Sequence, residues 1–150
     1  MRVALVGSVA LVALVSGGIY SFAPADAAGE LGAVHVDGAY QRIGGRDWSD
    51  WSHQLAGAYA LYAGPPIAGR VASVITGPRL NLNPGRSATD NAFLELAHAS
   101  LPHGCYLTVG RYRPDLDASP DLWITGDQVA DLRAGRLDIV QLMVLCGPTA

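Results

Sequence analysis

The chain has no lysine. Its ten basic side chains besides the four histidines are all arginine, and with 13 acidic residues the net charge is −3. Without a basic field a protein cannot displace counterions from phosphates, so nucleic-acid binding drops out as a leading function. Cysteine is scarce: only Cys105 and Cys146 are present, and neither forms a lipid-attachment signal. No G-x-S-x-G elbow marks a serine hydrolase. Asp115, Asp117 and Asp121 lack the glycine turn and terminal glutamate of an EF-hand loop. His98, His103 and Cys105 lie close in sequence, but their spacing fits no structural zinc site. There is no internal repeat and no low-complexity segment. The sequence thus predicts no metal and no cofactor. It points away from catalysis, leaving open a hydrolase site assembled only in three dimensions.

What is present begins with an apolar leader. Met1-Arg2 supplies a minimal positive start, Val3 to Phe22 is uncharged, and Pro24-Ala25-Asp26-Ala27 ends in an A-x-A pattern. That is the form of an export signal cleaved after Ala27, giving a mature N-terminus at Ala28. The run also approaches the ~20 residues needed to span a bilayer, so an uncleaved anchor is the alternative, and a buried core helix a further one. Gly17-Gly18, Pro24 and the lack of a basic stop-transfer cluster favour cleavage, with no stable membrane insertion afterwards. The expected location is secreted, or periplasmic and cell-envelope. An even cysteine pair in an oxidising compartment reads as one disulfide, Cys105–Cys146, worth about 4 kcal/mol by loop-closure entropy. Two separate buried thiols, or a catalytic cysteine, are the alternatives.

The expected organisation is a signal peptide at 1–27, a Gly-rich lead-in with an aromatic amphipathic helix at 28–68, and a β-rich domain at 69–150. Within the lead-in, Ala33 to Asp37 alternates between glycines and suggests a short strand. Trp48, Trp51, Leu55, Tyr59 and Tyr62 recur every three or four residues, which predicts a helix over 47–63 with an aromatic face. Asp47 would be its N-cap and Asp50 a first-turn charge. That stripe packs on the domain, or else it forms a sugar-stacking, membrane-surface or partner-binding face, and the lack of basic residues on the helix's polar face argues against an anionic membrane. Residues 69–77 are β-branched between glycines and predict a strand, and Pro84-Gly85 a turn. Residues 87–99 favour helix by propensity, with a short strand at 93–96 as the alternative. Cys105 to Tyr112 alternates cleanly and predicts a strand. Residues 113–121 read as an exposed loop. Thr125 and Gln128 have capping-box spacing for a helix ending near Gly135. Leu137 to Cys146, nearly all apolar, predicts a buried strand beside that of Cys105.

Several short stretches together resemble a known family. They are Gly69-Arg70-Val71, Leu80-Asn81-Leu82-Asn83-Pro84-Gly85, Ser100-Leu101-Pro102-His103-Gly104 followed by Tyr106 to Val109, and Trp123 to Val129. Their order is similar to that of bacterial SH3-like (SH3b) domains of exported proteins. Asn83 stands where that family has an arginine, and Leu122 where it has the glycine before the tryptophan. The resemblance implies a mainly β protein, a small SH3-like barrel with the N-terminal amphipathic helix and one disulfide added. An α+β fold with an antiparallel sheet is the alternative. It also implies recognition of cell wall or peptide, with Tyr106, Tyr112 and Trp123 as binding residues. The leading expectation is an exported, non-catalytic binding module for peptidoglycan or peptide. A secreted protein that binds or inhibits another extracytoplasmic protein is the second.

Overall fold

The computed structural model describes residues 26–50, 52–86, 92–114 and 124–147. In chain order the elements are α1 (Ala27–Gly32), β1 (His35–Val36), β2 (Gln41–Asp50), β3 (Leu55–Gly64), β4 (Ile75–Thr76), β5 (Asn83–Pro84), β6 (Phe93–Ser100), β7 (Cys105–Tyr112), α2 (Gly126–Arg133) and β8 (Asp138–Cys146). Six strands form one antiparallel sheet in the order β2-β3-β8-β7-β6-β5, while β1 and β4 pair by themselves. The protein is therefore mainly β. The sheet is open, with β2 and β5 at its edges, so the barrel implied by the SH3-like resemblance is not closed.

The strands expected at 105–112 and 137–146 are both present and lie side by side. β8 sits between β3 and β7. Val140, Leu142, Val144 and Cys146 on its core side are at most 2% exposed. Opposite them stand Ala56, Ala58 and Ala60 on β3, and Cys105, Leu107 and Val109 on β7. α1 packs over β3 and β8 and contributes Ala27 and Leu31 to this core. The short alanine side chains on β3 give the helix room to approach. Cys105 and Cys146 are register partners joined by the expected disulfide, with Cα atoms 4.0 Å apart. Direct pairing across adjacent strands brings the backbones that close, slightly inside the separation usual for disulfides.

A helix was expected over 47–63, and the structure has a hairpin of β2 and β3 there. The aromatic spacing of three and four residues is also compatible with two strands and a turn. Alanine favours helix in isolation, but packing on neighbouring strands overrides propensity. Asp50 is not a first-turn charge. Its Oδ1 accepts hydrogen bonds from the backbone N–H groups of Ser52 (3.0 Å) and His53 (3.3 Å), which turns the chain. Hydrogen bonds from the Ser52 hydroxyl and the His53 ring hold the Asp50 carboxyl well below the ordinary carboxylate range. Gln54 completes the turn in the left-handed region, at φ 54°. The lead-in thus supplies two strands of the sheet.

Three smaller expectations also change. Residues 93–99 are strand within β6, in line with the short-strand alternative at 93–96 and not with the helix; residues 87–91 lie outside the described residues. A bulge between Glu95 and Ala97 breaks the alternation of β6, which disguised it in the sequence. The strand expected at 69–77 shrinks to a 3-10 turn at Val71–Ser73 followed by the two residues of β4. The Pro84 turn begins as β5, on the sheet edge, where proline costs no ladder hydrogen bond. α2 has the expected capping box: Thr125 Oγ1 accepts from the Gln128 N–H at 3.3 Å, and Gln128 Oε1 accepts from the Thr125 N–H at 2.8 Å.

A charged clamp holds the segment that leaves β3. Asp138 Oδ2 accepts the Ile67 N–H at 2.8 Å, and Arg111 donates to the Ile67 carbonyl at 3.2 Å. Arg111 Nε lies 3.1 Å from the same carboxylate. Beside them the buried Tyr40 hydroxyl donates to the Pro65 carbonyl at 2.7 Å. Burial, and then the Asp138 carboxylate, push the Tyr40 phenol up from its usual pKa.

Candidate binding surface

Strand alternation gives the sheet a second face, opposite α1. One row across it runs Trp48 on β2, Gly57 on β3, Leu145 on β8 and Tyr106 on β7. The next runs Arg46, Tyr59, Met143, Thr108 and His98. Four inter-strand steps make this surface roughly 19 Å wide. Among the described residues, Trp48, Leu55 and Leu145 are the large apolar side chains most open to solvent, at 37%, 43% and 42%. Tyr59, Met143 and Tyr106 beside them are half-buried.

Local sequence sets the geometry of these rings. The Trp48 ring lies over Gly57, where a Cβ would stand 2.1 Å from the indole, so only glycine lets the ring settle on the sheet. Its centroid is 6.3 Å from that of Tyr59, tilted by 54°. Tyr106 stacks on His98 with centroids 5.5 Å apart and planes within 23°. The His98 ring is held by Glu95, with Nδ1 to Oε1 at 2.8 Å, and Glu95 also accepts the Arg86 N–H at 3.2 Å. The β6 bulge is what places residues 95 and 98 on the same side.

The far end of this face is closed over. Leu61, Ala63 and Ile139 are buried there, and neither they nor the buried Leu132 of α2 belong to the core beneath α1. Tyr112 shares the strand face of Tyr106 but is half-buried and packs on Phe93, with centroids 5.6 Å apart. Of the three binding residues expected from sequence, Tyr106 lies in the open region and Tyr112 at its closed border. Trp123 lies outside the described residues. Sequence reading placed Trp48 and Tyr59 on a helix and so missed that they share a sheet face with Tyr106. Tyr62, expected on the same stripe, instead faces the α1 side and packs on the core. No local signal could reveal this grouping, because it depends on the order of four strands.

A separate groove of about 280 Å³ lies near the end of α1, lined by Glu30, Val34, Arg79, Leu80, Leu101 and Pro102. At its margin Glu30 Oε1 is 3.0 Å from His103 Nδ1, and both Arg79 and His103 have left-handed backbones, with φ 63° and 58°. His98, His103 and Cys105 do not converge. Cys105 is bonded to Cys146, and the two histidines pair with different carboxylates. Among the described residues no three His, Cys, Asp or Glu side chains are grouped to hold a metal ion. Also among them, no helix is long and apolar enough to cross a membrane. Comparison with protein-family models, with curated proteins and with solved structures finds no match to this chain.

Proposed function

We propose that this protein is an exported, non-catalytic binding domain that holds cell-wall glycan on the open face of its sheet. The observation that carries the reading is the set of partly exposed rings, Trp48, Tyr59 and Tyr106, on one face of the sheet with only Arg46 as a fixed charge in their rows. Rings of this kind stack on the apolar faces of sugars, while their polar edges and neighbours bond to hydroxyls. Thr108, Gln141 and Ser100 supply such neighbours. The disulfide and the apolar leader both fit an oxidising, extracytoplasmic setting.

Leu55 and Leu145 favour a second reading. An exposed apolar patch around a tryptophan is also the centre of many protein interfaces, so an extracytoplasmic protein is the competing partner. Co-sedimentation with purified peptidoglycan separates the two. The domain should pellet with the wall, and Trp48→Ala or Tyr106→Ala should each weaken binding roughly ten-fold, about 1.4 kcal/mol, with the melting temperature nearly unchanged. If the unaltered domain stays in the supernatant, the glycan reading fails. If the substitutions unfold the protein, the rings belong to the core instead.

A further inference from the structure

We infer that the leader is removed after Ala25, two residues earlier than the last A-x-A pattern indicates, so that the exported domain begins at Asp26. Signal peptidase requires small residues at its two recognition positions. Ala23-Pro24-Ala25 satisfies this as well as Ala25-Asp26-Ala27 does, so the sequence presents two scissile bonds. The fold distinguishes their products.

Asp26 is the N-cap of α1. Its Oδ1 accepts the Gly29 N–H at 2.8 Å, and its backbone carbonyl accepts the Glu30 N–H at 2.9 Å. Gly29 is matched to this cap: a Cβ there would stand 2.3 Å from Asp26 Oδ2. Ala27 is 3% exposed and part of the core cluster. Glu30, one turn on, reaches His103 in the connection between β6 and β7. Cleavage after Ala27 removes the cap and a core residue together. It also sets a new ammonium group on Ala28, in the first turn, where the positive end of the helix dipole opposes it. Cleavage after Ala25 keeps every one of these contacts. The new ammonium then sits on the capping residue, beside that residue's own carboxylate.

This inference rests on the export reading, and one measurement separates the two. The full chain is expressed in an exporting bacterium, and the extracytoplasmic product is examined by N-terminal sequencing and intact mass. A start at Asp26 is expected. A start at Ala28 overturns the inference and leaves export standing. An extracytoplasmic product that keeps Met1 overturns the inference in favour of an uncleaved anchor, and a chain confined to the cytoplasm overturns both. A second measurement tests the structural argument itself. Chains beginning at Asp26 and at Ala28, both with the disulfide formed, are compared by thermal melting. The shorter chain should melt at least about 5 °C lower, the effect of losing an N-cap in a domain of this size. Equal melting temperatures would overturn it.

Discussion

The two faces of the six-stranded sheet are made of similarly apolar sequence and do different things. Along β8, Val140, Leu142, Val144 and Cys146 are sealed under α1 and the segment that crosses with β1 and β4. Their alternates Met143 and Leu145 face the other way, and Leu145 is 42% exposed. Hydrophobicity alone does not tell these sets apart. What separates them is whether the fold places another layer over them. One face therefore holds the stability, and the open part of the other can be altered for recognition at little cost to the fold.

Paired substitutions within β8 give the largest test of that contrast. Leu142→Ala should cost about 3–4 kcal/mol in urea unfolding, from lost burial plus a cavity. Leu145→Ala, three residues away on the same strand, should cost under about 1 kcal/mol. Equal losses would mean that both faces are sealed.

The clamp on the covered side offers an intermediate effect. Arg111→Ala leaves Asp138 with only the Ile67 N–H and frees the Ile67 carbonyl. Because Arg111 is one-third exposed, the cost should be about 2 kcal/mol, below that of a fully buried pair. Faster amide exchange at Ile67 would localise the loss to the segment after β3. Unchanged exchange there would show that the clamp holds nothing in place.

The smallest effect is a pH dependence from Tyr40. Its folded pKa is raised, first by burial and then by Asp138, so the unfolded chain releases this proton first. Stability from this group is full below the unfolded value of about 10 and falls as pH rises through the folded pKa. Tyr40→Phe should flatten that alkaline decline, measured as the difference between the two stability–pH curves. Parallel curves would remove Tyr40 from the covered side's energetics.

The parts of this protein legible in its sequence are those with local rules. β7 shows clean alternation, β8 a long apolar run, the cysteines a unique pairing, and Thr125 with Gln128 a reciprocal cap. The β2–β3 hairpin was hidden because alanine-rich sequence favours helix until a neighbouring strand takes up its hydrogen bonds. The bulge in β6 concealed a strand by shifting its alternation at Leu96. Of the binding surface, Tyr106 was legible from its strand. Its place on one face with Trp48 and Tyr59 was not, since strand order alone creates it.

The position of β8 has a consequence for how the molecule comes into being. It follows every other strand in the sequence, yet it lies between β3 and β7 in the sheet. As the chain emerges, the β2–β3 and β6–β7 hairpins have their own short-range partners, but no strand yet joins them. The joining strand pairs with β3 across more than seventy residues of chain, between Gly64 and Asp138. Non-local pairing of this kind slows folding. Assembly therefore waits for the last strand, which also delivers Cys146 to Cys105. Until then the two hairpins lack the strand that makes them one sheet.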